Sequence, residues 1–195
     1  MPFINPPETR NPLMKLLIWI GDKAAGKKMM PARILSWYPK ALINSGIFES
    51  LIAHNDRLIG KRILKLVRMS VSFTVSCPFC IDMNSSDFKK MKITEEEIEA
   101  LQGIKDLDDV VTLDEREKTA IRYSKAICST PITFDEELIN KLKSIFSERE
   151  IVIIAYTAAQ VNYWTRLIQS FGISPAGFNT NCSILKLEQF TRNKI

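Results

Sequence analysis

The chain has 195 residues, 46% of them hydrophobic, with 27 basic and 22 acidic side chains and a net charge of +5. That is enough apolar material for one domain with a substantial core, and it excludes wholesale disorder. Four cysteines in this length do not make a disulfide-stapled secreted scaffold, so a reducing, cytoplasmic compartment is the simpler expectation.

Residues 1–12 carry Pro2, Pro6, Pro7 and Pro12 and read as an extended arm. Residues 13–30 read as a short amphipathic helix ending in a Gly- and Lys-rich stretch. Leu13 to Ile20 is apolar apart from Lys15. It is far shorter than the ~20 residues of a membrane span, and no small-residue cleavage site follows it. Leu16, Leu17, Ile18, Trp19 and Ile20 are expected to pack on the core or on a neighbouring subunit. Pro31 and Pro39 bracket another short helix, and Ala41 to Asn55 reads as helical despite Gly46.

Positive charge concentrates in Lys23, Lys27, Lys28, Arg33 and Lys40, then Arg57, Lys61, Arg62, Lys65 and Arg68. No nucleic-acid motif or aromatic stacking pattern accompanies it, so it reads as a solvated helix face with no nucleic-acid partner.

Residues 57–75 read as one helix, with Ile59, Ile63, Leu66 and Val67 on one side. Within it, Ser70 to Ser76 alternates polar and apolar like a strand. A strand feeding the next motif, with Pro131 as a later active-site proline, would be a thioredoxin arrangement. The further strands that such a fold needs are not found in the sequence.

That motif is Cys77-Pro78-Phe79-Cys80. On a helix, positions i and i+3 share a face, so the two sulfurs can meet and close reversibly as a disulfide. Pro78 suits the first helical position, where no N–H is needed. Cys77 is then the N-cap, its sulfur beside unpaired backbone N–H groups that stabilise a thiolate. A structural zinc site needs four ligands, and the remaining candidates, Cys128, Cys182 and His54, are scattered. No metal is therefore expected. Two buried, inert thiols are the other structural reading.

Downstream, a Ser or Thr followed three residues later by Glu marks helix starts at Thr94/Glu97, Thr112/Glu115, Thr133/Glu136 and Ser147/Glu150. With few strand signals between them, they predict an all-α domain. Ala120, Ile121, Ser124, Ile127 and Cys128 form one helix face, which makes Cys128 an inert core thiol. The stretch after Ser147 is apolar on most sides and is expected to be central and buried, stopped by Gly172 and Pro175. Residues 176–195 read as a tail, with a short helix around Ile184 to Phe190 and no role assigned to Cys182.

The stretch LVRMSVSFTVSCPFCIDMNS resembles the signature of the carboxymuconolactone decarboxylase-like superfamily, in its alkylhydroperoxidase-D-type branch. LDEREKTAIRYSKAI and SEREIVIIAYTAAQVNYWTRLIQSFGI are similar to that family's following helices, so the likeness covers residues 31–175. It implies a single all-α helical bundle over 31–175, with 1–30 as an N-terminal helical arm and 176–195 as a tail. It also implies homo-oligomers, commonly trimers or their multiples. Its chemistry is that of an antioxidant thiol peroxidase, or of disulfide exchange with a partner such as a peroxiredoxin, with no metal, flavin or nicotinamide cofactor. Lactone decarboxylation is not carried over, because the true decarboxylases lack the dithiol.

Two positions depart from the family pattern. Its histidine four residues after the second cysteine is Asn84 here, and its glutamate twelve residues before the first is Lys65. Neither replaces a proton relay directly. The catalytic candidates are Cys77 and Cys80, with the attacking thiol left open. Asn84 shares their helix face as a hydrogen-bonding candidate, and Lys65 and Arg68 are cations able to lower a thiol pKa if they reach it. Asp87, one turn further on, reads as a solvated carboxylate. Asn162 and Arg166 are candidates to line a pocket. A thiol-dependent oxidoreductase acting on peroxides or disulfides, reduced by a thiol reductant protein, is the first reading. A non-catalytic binding or assembly protein on the same fold is the alternative.

Overall fold

The computed structural model describes residues 2–8, 11–50 and 56–179, and among these there are nine α-helices, one 3-10 turn and no strand. The helices are α1 (Pro12–Ala25), α2 (Met30–Leu35), α3 (Pro39–Ser50), α4 (Lys61–Thr74), α5 (Pro78–Asn84), α6 (Glu95–Gln102), α7 (Glu115–Ile127), α8 (Glu136–Ile145) and α9 (Glu148–Ser170). The thioredoxin arrangement is thereby excluded for the described residues, because the stretch that alternates like a strand lies in α4 and its C-terminal turn. His54, Cys182 and the expected helix at 184–190 lie outside the described residues.

The helix at the centre is α4. Leu66, Met69 and Phe73 pack with Ile81, Ile98, Leu101 and Ile121 on one side. Ile63, Leu64, Val67 and Val71 pack with Ala120, Leu142, Ile154, Ala158 and Val161 on the other. A helix apolar around most of its circumference is stable only when neighbours enclose it. It is shorter than the expected 57–75. Asp56 accepts the N–H groups of Leu58 and Ile59 in a turn, and Gly60, at φ 83°, turns the chain into the helix.

The longer α9 is less enclosed than its composition predicts. It buries Ile154, Ala158, Val161 and Ile168 but leaves Val152, Tyr156 and Tyr163 exposed. In α1, Met14 and Ile18 are buried, whereas Leu13, Leu16, Trp19 and Ile20 stay exposed.

Two of the four predicted helix starts hold at the named residues, Thr94/Glu97 and Ser147/Glu150, as reciprocal capping boxes. The other two move by two residues. Asp114 caps α7 in a box with Glu117, and Asp135 caps α8. In both places an Asp stands two residues after the Thr and is the better-placed acceptor for the first-turn N–H groups.

The expectation of a solvated basic face fails at several positions. Arg33 is paired with Asp22 at 2.6 Å. Lys65 and Arg68 are only partly exposed. Arg62 bonds Glu97 at 2.7 Å and Glu117 at 2.6 Å, and it also donates to the carbonyls of Met91 and Lys92. Glu97 and Glu117 are the buried box residues of α6 and α7, so one guanidinium on α4 neutralises the capped starts of two neighbouring helices. Removing one partner of a buried ion pair leaves an uncompensated charge. Arg62→Ala is expected to lower the unfolding free energy by ~3 kcal/mol, read from urea titration, whereas Lys61→Ala at the neighbouring exposed position should change it little.

Candidate active site

Pro78 begins α5, and Cys77 is its N-cap, as the motif predicts. The Cys77 sulfur accepts the Cys80 N–H at 3.4 Å. The two sulfurs are 2.8 Å apart and both cysteines are free thiols. A disulfide bond measures ~2.05 Å, so closing it needs a sub-ångström approach of the sulfurs.

The pair is electrostatically unequal. The Cys80 thiol beside it draws the Cys77 pKa below the ordinary thiol value against the opposing effect of burial, helped by the N–H groups of Cys80 and Phe79. Cys80 is pushed far upward, first by its contact with Cys77 and then by burial. Of the two, Cys77 is the thiol whose ionised form the surroundings favour, and a hydrogen bond links its sulfur to that of Cys80.

Several supports fix this arrangement. The Cys77 N–H donates to the Ser72 carbonyl at 3.2 Å. Asn84 donates its side-chain amide to the Ser72 hydroxyl at 2.9 Å. Asn84 and Cys77 thus meet at one residue of α4. Lys65 donates to the Ser86 carbonyl at 2.6 Å, beyond the end of α5 opposite to Cys77, and burial brings its pKa down to about 8. Burial also lowers the Arg68 pKa, opposed by the nearby Glu49 carboxylate.

Other candidates fall elsewhere. Asp87 is exposed and paired with Lys90. Asn162 and Arg166 line a surface groove along α9 with Ala159, Tyr163, Leu167 and Ser170, and Arg166 is exposed rather than buried. The α9 residues that pack around the thiols are Trp164 and Ile168. Cys128 is buried, donates to the Ser124 carbonyl, and has its pKa pushed up by burial to about 11. No group of His, Cys, Asp and Glu able to hold a metal occurs among the described residues. Among them, no helix is long and apolar enough to cross a membrane.

Two features carry no signal in the sequence. Glu49 on α3 accepts from Gln160 at 2.6 Å and from Trp164 at 2.8 Å, which places a carboxylate one side chain away from the thiol cluster. Asp82, 1% exposed, accepts the N–H groups of Ala176, Phe178 and Asn179 at 2.8–3.0 Å. Its position two residues after Cys80 was visible, but its partners are more than ninety residues away in the chain.

A depressed pKa keeps the thiolate populated as pH falls, and a raised one empties it. Alkylation of Cys77 is accordingly expected to lose less rate between pH 8.5 and pH 7 than alkylation of Cys128, which, with a pKa of about 11, loses about tenfold per pH unit. Site-resolved mass spectrometry after timed alkylation checks this. Equal pH slopes at the two residues would contradict the assignment.

No family model matches the chain. It is 30% identical over 115 residues to the uncharacterised protein YdfG of Bacillus subtilis, across 58% of this chain and 76% of that protein. The debrominase Bmp8, solved with 2,3,4-tribromopyrrole as a cysteine-to-alanine variant, has the same fold at TM-score 0.75 and 15% identity, over 97% of this chain and 100% of that one. An alkylhydroperoxidase-core, peroxidase-related protein from Ralstonia eutropha matches at TM-score 0.69 and 13% identity, over 85% of this chain and 86% of that one.

Proposed function

We propose that the chain, which has the fold of the alkylhydroperoxidase-core, peroxidase-related proteins and resembles the carboxymuconolactone decarboxylase-like superfamily around its CxxC, is a thiol-dependent oxidoreductase that reduces peroxides or exchanges disulfides through Cys77 and Cys80. The observation that carries the reading is the capped, unequal pair with its sulfurs 2.8 Å apart. The Cys77 thiolate attacks one peroxide oxygen and the O–O bond breaks. The departing alkoxide takes a proton from Cys80 or water, and Cys77 is left as a sulfenic acid. The Cys80 sulfur then attacks Cys77, the S–S bond forms, and the sulfenic oxygen leaves as water, taking its proton from Cys80 or, where Cys80 has already given its own to the alkoxide, from solvent. An external dithiol, itself oxidised to a disulfide, restores the pair. With a disulfide substrate, the first step instead gives a mixed disulfide and a released thiolate.

No titrating relay is required, because hydrogen bonding to Cys77 already favours its ionised form. In this scheme Asn84 holds the start of α5 through Ser72, and Lys65 and Arg68 supply positive potential around that helix. Association of several copies of the chain belongs to the same proposal, supported by the exposed Leu13, Leu16, Trp19 and Ile20 of α1.

The test is one equivalent of alkyl hydroperoxide added anaerobically to the reduced wild type and to Cys80→Ser, with thiol loss and disulfide formation followed by mass. Rapid Cys77–Cys80 closure in the wild type, and a sulfenic acid trapped on Cys77 in the variant, are expected. No reaction above the free-thiol background would remove the peroxidase reading and leave disulfide exchange or a binding role.

A further inference from the structure

Both thiols are almost fully enclosed, Cys77 at 0% and Cys80 at 1% exposure, so any substrate reaches them only after something moves. The covering element identifies itself by what holds it. After α9, Gly172 at φ 62° turns the chain, and the Ile173 N–H returns to the Ile168 carbonyl at 3.2 Å. The following residues run back across the dithiol. Ile173, Ala176 and Phe178 pack in one apolar cluster with Cys77, Phe79 and Cys80, and the Phe178 ring stands edge-on to Phe79 at 6.4 Å.

The segment is gripped through its backbone from two sides. The buried Asp82 carboxylate takes three of its N–H groups. Lys27 donates to the carbonyls of Ala176 and Gly177 and lies 5.4 Å over the Phe178 ring. Lys27 sits in the connection between α1 and α2, which Asp22 pins by accepting the Met29 N–H and pairing with Arg33. Both grips are therefore mounted on fixed elements, and one of them is on the redox helix itself. A short cover held by a few charge-assisted hydrogen bonds and the packing of Ile173, Ala176 and Phe178 opens at lower cost than a helix packed in the core.

We propose that Asp82 and Lys27 are specificity-determining residues of this dithiol, holding residues 173–179 as a strap that decides which substrates reach Cys77. This rests on the dithiol reading above. Small oxidants enter on brief or partial opening, whereas a bulky substrate or a protein disulfide has to displace the strap from Asp82 and Lys27. The strap lies on the Cys80 side of the pair through Asp82, so a shift of α5 on S–S closure acts directly on the latch.

The test compares two reagents of the same chemistry and different size, N-ethylmaleimide and fluorescein maleimide, with rates read at Cys77 by peptide mass spectrometry. The proteins are the wild type, Asp82→Asn and Lys27→Ala, with circular dichroism and thermal melting confirming that each is folded. Asp82→Asn also changes the charge near the thiols, but both reagents need the same thiolate, so the ratio of the two rates isolates access. The expected result is a strong preference for the small reagent in the wild type, and a rise of at least tenfold in the bulky rate, with a falling ratio, in both variants. The variants loosen the strap from opposite sides, so either one that folds suffices. An unchanged ratio would overturn the proposal. The peroxide titration of the wild type fails independently. A moving ratio without peroxide reduction keeps the strap and removes the peroxidase, and peroxide reduction with a fixed ratio does the reverse.

Discussion

Enclosure of α4 is the constraint on which the rest of the molecule depends. A 14-residue helix with Leu64, Leu66, Val67, Met69 and Val71 fully buried has to be surrounded, and α5, α6, α7 and α9 are the helices that surround it. Several of the polar groups it carries inward find partners in that shell. Arg62 does so at the capped starts of α6 and α7. At the other end, the Ser72 carbonyl receives the Cys77 N–H and its hydroxyl receives Asn84. The Cys77–Cys80 pair is therefore attached directly to the most enclosed helix, which favours a short, defined distance between the sulfurs.

The site combines two demands that pull against each other. Burial raises a thiol pKa, yet a nucleophile has to ionise. Here the second thiol and the cap N–H groups outweigh burial at Cys77, whereas at Cys80 the contact with Cys77 and burial both push the pKa up. A buried, poised thiolate is shielded from adventitious oxidants but also from substrates, so access becomes a separate control. Asp82 and Lys27 set it without touching either sulfur in the scheme proposed above.

Much of this was legible in the sequence because it is local. Cys77 as a helix N-cap and Pro78 as the first helical residue read correctly, as do the capping boxes at Thr94 and Ser147, since those signals depend on spacing within one turn. The starts at Thr112 and Thr133 misread because an Asp two residues later competes for the same N–H groups. The roles of Arg62, Glu49 and Asp82 depend on residues 29 to 115 positions away in the chain, and no periodicity announces such pairs. The apolar content of α9 suggested full burial, but composition does not count the neighbours available to cover a face. Residues 176–179 read as a tail because the partners that hold them, Asp82, Lys27 and Phe79, lie far away in the chain.

The central claim is that Cys77 and Cys80 are a reversible two-electron couple. Equilibrating the full chain in a series of glutathione redox buffers, trapping free thiols by alkylation, and mapping the products by mass tests it most directly. One transition between the dithiol and an internal Cys77–Cys80 disulfide is expected, with mixed glutathione adducts at Cys77 only once Cys80 is replaced by Ser. Persistence of both thiols across the whole series, or accumulation of glutathione on Cys77 in the wild type with no internal bond, would contradict it.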